Sequence, residues 1–322
     1  MADLVTELAL GDIPTRTDFG LDSRLPARVL ASARRRGDPL GDHVVAEIAR
    51  RHPIHETDDV LAEVRALAET EGGIFRELLE SCCYVPPWAD FAAMEPGLRL
   101  FAATGPVAAV SNLGRGTGAE PPSCAEGRFV IERDLTPRLA GTGASMFLVP
   151  LPGEVQPGGR HHTVVMRVRL MHAVIRRSLS ADAAYDVERF GTPISQEDMA
   201  FAILLFAYLN VRGLRRLGVR VSDAQRASLG LVWRWIGHVL GVEDKLLCTD
   251  TVEQAELYRS SVTHHTGDGP AASGLPLATR AIRAAGSAYG WVLRLPGAEA
   301  VLHRVGSLLL ETRYDTPTCA RQ

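Results

Sequence analysis

The sequence predicts an all-α protein, and three observations carry that expectation. Apolar residues recur at three- and four-residue spacing in nearly every segment, the period of a helix face. Two segments, Ser195-Gln-Glu-Asp198 and Ser222-Asp-Ala-Gln225, pair a hydroxyl with an acid or amide three residues on, the pattern that starts helices. Hardly any stretch alternates apolar and polar residues as a half-buried strand would.

In chain order, residues 25–36 and 42–51 read as helices with basic outer faces. The runs Arg34-Arg35-Arg36 and Arg50-Arg51 fit a solvated face better than a binding site. Residues 58–71 form an acidic amphipathic helix with Val60, Leu61, Val64 and Leu67 along one side. A helix over 75–83 is stopped by Pro86-Pro87, since a proline disfavours helical backbone in the residue before it. An apolar helix over 98–113 contains Gly105-Pro106, which should bend or interrupt it. Residues 112–127 are rich in glycine and proline, with neither a GK[ST] ending nor a preceding β-branched strand, so a pocket-lining loop is expected and a phosphate loop is not. Arg138 opens a helix running toward Leu148, and 150–159 is a connection. His161 and His162 point to different sides of a helix, make a poor metal pair and read as surface residues.

Beyond Phe190, Ser195 caps a helix that continues through Gly213 and is apolar nearly all round. Its apolar run, 199–211, is shorter than the ~20 residues needed to span a bilayer. Ser222 starts a helix carrying Trp233 and Trp235 and ending near Gly241. Helices over 252–262 and 277–310 follow, the second broken at Pro296.

Composition narrows the function. The chain has 322 residues, 46% of them apolar and 23% charged, with net charge −3. That balance gives no reason to expect nucleic acid or an anionic membrane as partner. Lys245 is the only lysine. Cys82, Cys83, Cys124, Cys248 and Cys319 are odd in number and show no CxxC spacing, as reduced cytoplasmic thiols would. The first twelve residues carry acids and lack the basic start and apolar core of a secretory signal.

The stretch 163–177 is the most informative. Val164, Val165, Val168, His172 and Ile175 recur at helical spacing, with Arg167, Arg169, Arg176 and Arg177 mainly on the other sides. A histidine on an apolar helix face is either a core residue bonded to a buried carbonyl or a metal ligand. A neutral imidazole held rigidly in an apolar cavity is what an iron porphyrin needs on its proximal side.

The run Arg167-Val-Arg-Leu-Met-His-Ala-Val-Ile-Arg176 resembles the haem-binding helix of the latex-clearing-protein and mpaB-type oxygenase family. Val85-Pro-Pro-Trp-Ala-Asp90 is similar to that family's early proline–tryptophan segment, Arg138-Leu-Ala-Gly-Thr142 to its distal Arg-x-x-x-Thr motif, and the stretch from Gly191 to Met199 to the segment beyond its histidine helix. The resemblance covers roughly residues 85–241, with 1–80 read as charged N-terminal helices and 242–322 as C-terminal helices of one domain. It implies a globin-like core holding haem b, His172 as proximal iron ligand, and Arg138 and Thr142 on the distal side, with O₂ as co-substrate. Arg169 and Arg176 stand as candidates for the haem propionates, although solvated arginines fit the pattern better. Latex-clearing proteins carry a lysine just before the distal threonine, where this chain has Gly141, so the sixth coordination site is expected to be open or water-bound. The family's catalytic acid falls on Glu120 or Glu126, and the sequence does not choose between them.

The expectation is a cytoplasmic haem oxygenase acting on a hydrophobic, unsaturated small molecule by oxidative C=C cleavage or hydroxylation, with an external electron donor as partner. A non-catalytic haem sensor or carrier, and a helical scaffold without cofactor, are the alternatives.

Overall fold

Asp38 and Pro39 begin the helix Pro39–Arg51, because proline suits the first helical position, where its missing N–H has no intrahelical partner anyway. In the computed structural model that helix and the others below are described over residues 27–54, 59–104, 151–183, 185–216 and 218–266. The helices are α1 (Ala27–Ala33), α2 (Pro39–Arg51), α3 (Val60–Thr70), α4 (Gly73–Cys83), α5 (91–104), α6 (Arg160–Ser180), α7 (Val187–Phe190), α8 (Gln196–Leu204), α9 (Asn210–Arg216), α10 (Asp223–Val239) and α11 (Thr251–Thr266). No strand occurs among the described residues, so the fold is all-α as expected. The helices expected over 138–148 and 277–310, and the Gly105-Pro106 break, lie outside the described residues.

Several ends are set as the sequence implies. Asp59 caps α3 by accepting from the backbone N–H groups of Leu61 and Ala62. Ser195 and Ser222 close reciprocal capping boxes with Asp198 and Gln225. The long apolar helix beyond Ser195 is less regular than its sequence suggests. Between α8 and α9 the chain widens into a π-turn, Leu205–Leu209. Phe206 of that turn stacks on Trp233, with ring centroids 4.6 Å apart, and Tyr208 tilts against Tyr258 at 5.9 Å. Such turns are rare and persist where packing outweighs their weaker hydrogen bonds.

A single apolar cluster runs from Leu30 to Tyr258 and draws on every part of the described chain. Within it α2 packs on α6 and α4, α3 on α4, and α10 on α6 and α8, while α11 covers α8 and α1. Helices α5 and α10 cross closely at Gly97. Its N–H donates to the Ser228 hydroxyl at 2.8 Å, and a Cβ there would meet the Ser228–Leu229 backbone. Among the described residues no helix is long and apolar enough to cross a membrane.

The basic runs do more than face solvent. Arg36 donates to both carboxylate oxygens of Glu243, at 2.7 and 3.0 Å, fastening α1 to the segment before α11. Arg51 makes a two-pronged pair with Glu71 and lies over the Phe75 ring. Planar guanidinium groups suit both contacts.

Candidate functional site

Helix α6 organises the site. Glu154 accepts from the Arg160 backbone N–H and side chain, which supplies the start of α6 with a carboxylate where the helix dipole favours one. From there 21 residues run to Ser180, and Arg169, Leu170, Ala173 and Arg176 form the inward stripe with Val165 and Met166. The inward stripe differs from the sequence expectation. Val165 is buried, but Val164, Val168 and His172 are only half-buried, and Ile175 is exposed. The valine pattern marks one edge of the helix, and the arginines lie beneath it.

Arg169 and Arg176, expected on the outer sides or beside propionates, are ion-paired inside the fold. Arg169 Nε donates to Asp38 Oδ2 at 2.6 Å and Nη2 to Oδ1 at 3.0 Å. Its Nη1 donates to the Ser81 hydroxyl at 3.1 Å and faces the Cys82 sulfur at 3.4 Å. Every nitrogen of Arg169 is therefore engaged within the protein. Burial works against its charge, but the hydrogen bonds and charge of Asp38 hold its pKa above the ordinary value. Arg176 Nε donates to Asp42 and Nη1 to the Ile194 carbonyl, while Nη2 is buried with no hydrogen-bond partner. The Asp42 carboxyl is pushed up by burial, against the pull of Arg176. The physical reason for the correction is pairing: Asp38 and Asp42, four residues apart at the start of α2, present two carboxylates to two arginines seven apart on α6.

Gln196 completes this interior. Its Nε2 donates to the Gly37 and Gly241 carbonyls, and its Oε1 accepts from the Glu243 N–H. The segment from Gly191 to Met199 thus serves as a tie between α2, α8 and the end of α10.

His161 and His162, expected on the surface, are buried at 5% and 2% exposure. The His162 ring stacks on Trp235, and its Nε2 donates to the Cys82 carbonyl at 2.9 Å. His161 Nδ1 has no hydrogen-bond partner, and burial together with the neighbouring His162 pushes its pKa down to about 4. The unfolded chain would take up a proton near pH 6.5, and the fold resists it. The stability His161 contributes is complete above pH 6.5 and is lost as pH falls through 6.5 toward 4. About 2.5 pKa units correspond to roughly 3 kcal/mol. Asp198 shifts the other way, pushed up to about 7 by burial, so its contribution is complete at low pH and lost as pH rises toward 7. Comparing the protein with His161→Phe cancels the Asp198 effect. Urea denaturation should find the stability difference moving by about 3 kcal/mol in favour of the variant between pH 7.5 and 4. A constant difference would show that His161 is protonated without penalty.

His172 stands at mid-helix on the edge marked by the valines. It is half-buried, between Met171 at 49% and Ile175 at 37% exposure, two large apolar side chains that the described helices leave uncovered. This is a donor set of one imidazole on an apolar strip. A porphyrin itself supplies four of its iron's ligands, so one such imidazole beside an apolar surface fits haem. No group of three or more His, Cys, Asp or Glu suited to a bare metal ion occurs among the described residues. Arg138, Thr142, Glu120 and Glu126 lie outside the described residues.

Sequence reasoning passed over Asp38, Asp42 and Gln196. It also passed over Asn210, which follows the π-turn fully buried with neither side-chain polar atom bonded. Cys82 and Cys83 are thiols outside any disulfide. Burial pushes the Cys82 thiol up, so it stays protonated beside Arg169.

The family model for the catalytic domain of the ER-bound oxygenase mpaB/B′ and rubber oxygenase matches residues 88–313. A rubber oxygenase from Streptomyces sp. (strain K30) is 27% identical over 221 residues, covering 65% of this chain and 54% of that protein. The chain thus spans about half the length of that curated relative. The solved structure of latex clearing protein LCP in the closed state superposes with a TM-score of 0.60 at 19% identity, covering 95% of this chain and 87% of that one. At that identity the likeness is one of fold.

Proposed function

The chain belongs to the family of mpaB-type and rubber oxygenase catalytic domains, and from that membership we propose that it is a haem b-dependent oxygenase, using O₂ on a hydrophobic, unsaturated small molecule. Oxidative C=C cleavage or hydroxylation is the reaction class. The observation that carries the reading is the half-buried His172 imidazole at the centre of α6, between the uncovered Met171 and Ile175.

When bound, haem would supply the redox-active iron that activates O₂. The protein's own part is to place and surround it. His172 holds its imidazole on a helix that two ion pairs fasten to α2, one buried and one half-exposed at Asp42, so its backbone is held in place. Met171, Ile175 and Val168 offer an apolar surface that a flat macrocycle would cover and that excludes water. On the distal side Arg138 would stabilise negative charge developing on oxygen, and Thr142 would orient it or hold a proton nearby. The hydrophobic substrate follows from the family, and the electron donor is external to the chain.

The test is turnover normalised to haem content, with O₂ and a soluble isoprenoid alkene. Arg138→Ala should load haem normally and form product about 10²–10³ times more slowly, the effect of losing a charge-assisted hydrogen bond at a dry site. Thr142→Ala should lose less, because water can replace a neutral hydroxyl. An unchanged normalised rate for Arg138→Ala would remove that residue from the reaction. Haem loading without any turnover in the unaltered protein would favour a sensor or carrier, and no haem at all a scaffold.

A further inference from the structure

On the far edge of α6 a groove of about 1150 Å³ opens between that helix and helices α2 and α3. Its walls include Ala46, Ala49, Ile54, Leu61, Leu170 and Val174. At 100° per residue, Leu170, Val174 and Arg177 lie about 140–200° around α6 from His172, while Met171, which also lines the groove, lies about 100° away. The groove and the imidazole therefore lie on different sides of α6 and meet at Met171.

Its charges are uneven. Arg167 is engaged by Asp59 at 2.6 Å, and Arg176 shares Nε with Asp42. Two donors are left over among the described residues. Arg177, exposed at the groove wall, makes no ion pair, and Arg176, with its side chain 4% exposed and lining the groove, keeps Nη2 without a hydrogen-bond partner. Ser178 and Thr192 add hydroxyls at the same end. A buried guanidinium nitrogen left unbonded is costly, because it gives up its water with nothing in return. A largely apolar groove whose three arginines outnumber its two carboxylates, Asp42 and Asp59, matches one ligand chemistry, an aliphatic tail with a carboxylate head. The space is ample, since drug-sized ligands occupy pockets of about 300–1,000 Å³.

We propose that this groove is a binding site for a long-chain monocarboxylate, its tail along Ala46, Ala49, Leu61 and Val174 and its carboxylate between Arg177 and Arg176.

The probe is dodecanoate, saturated and so without the double bond the proposed reaction would use. Titration calorimetry on the full chain as purified should show dodecanoate binding, with dodecyltrimethylammonium, the same tail with the opposite charge, much weaker. Arg177→Ala should weaken dodecanoate about fivefold, the effect of losing one ion pair at a partly exposed site, with no change in melting temperature. Ala49→Trp should fill the groove and abolish binding, and His172→Ala should leave it intact. The proposal is overturned if dodecanoate does not bind, if the cationic detergent binds equally well, or if Arg177→Ala binds as tightly as the unaltered protein. Binding that survives in a folded Ala49→Trp also overturns it, since the tail would then lie elsewhere. If Ala49→Trp does not fold, the Arg177→Ala result decides alone.

Discussion

Arg169→Met is expected to lower the unfolding free energy by about 3–5 kcal/mol, the cost of leaving a buried carboxylate without its partner. The side chains concerned are 5% and 3% exposed, so water cannot take the place of the guanidinium beside Asp38. The Ser81 hydroxyl loses a donor as well. The effect should exceed that of breaking any surface pair, such as Arg99 with Glu95, which is worth about 0–1 kcal/mol. Denaturant unfolding of three proteins checks the assignment: the unaltered chain, Arg169→Met, and the double variant Arg169→Met/Asp38→Leu. The double variant should recover most of the loss, because two apolar groups of similar volume remove the buried charge altogether. A loss below 1 kcal/mol for the single variant would mean that Asp38 reaches solvent and that the pair is incidental.

His172→Gly should purify folded and with its haem content reduced at least tenfold. Disturbing even the groups that only support a metal ligand costs 10–100-fold in affinity, and losing the ligand itself costs no less. A half-buried side chain at the edge of α6 contributes modest packing and a mid-helix glycine costs about 0.5–1 kcal/mol, so the melting temperature of the haem-free protein should fall by only a few degrees. Free imidazole added to the variant should restore the Soret band, since it can enter the space the side chain left. Rescue of this kind separates a ligand from a residue that merely stabilises the helix. A variant that keeps full haem content and an unaltered spectrum would place the ligand elsewhere.

The sequence announces what local chemistry controls. Ser195, Ser222, Asp59 and Pro39 mark helix starts because a cap or a fixed φ acts within four residues, and the structure uses each of them. The aromatic run after Ser195 is legibly core, but its π-turn is not, since the wider turn answers to Trp233 and Tyr258 on other helices. The buried side of α6 was misread for a related reason. A valine is apolar wherever it lies, whereas Arg169 enters the interior only because Asp38, 131 residues earlier, meets it there. His161 and His162 follow the same logic: Cys82 and Trp235 make their burial tolerable, and both are far away in sequence. Of the candidate site, the sequence offers His172 as the proposed ligand, from its apolar neighbours and the motif around it. The acid–arginine interior beside it was not.

That separation of Asp38 from Arg169 has a consequence for the order of events during synthesis. A ribosome adding roughly 5–20 residues per second takes about 7–26 s to make the 131 residues between them. Throughout that time Asp38 and Asp42 keep their water, and α2 has no α6 to lie against. Helices α1 to α4 are therefore expected to stay loosely assembled on the nascent chain, with Val44, Val45 and Ile48 as the surface a chaperone would hold. Closure comes in one event, when α6 emerges and both arginines find their carboxylates together.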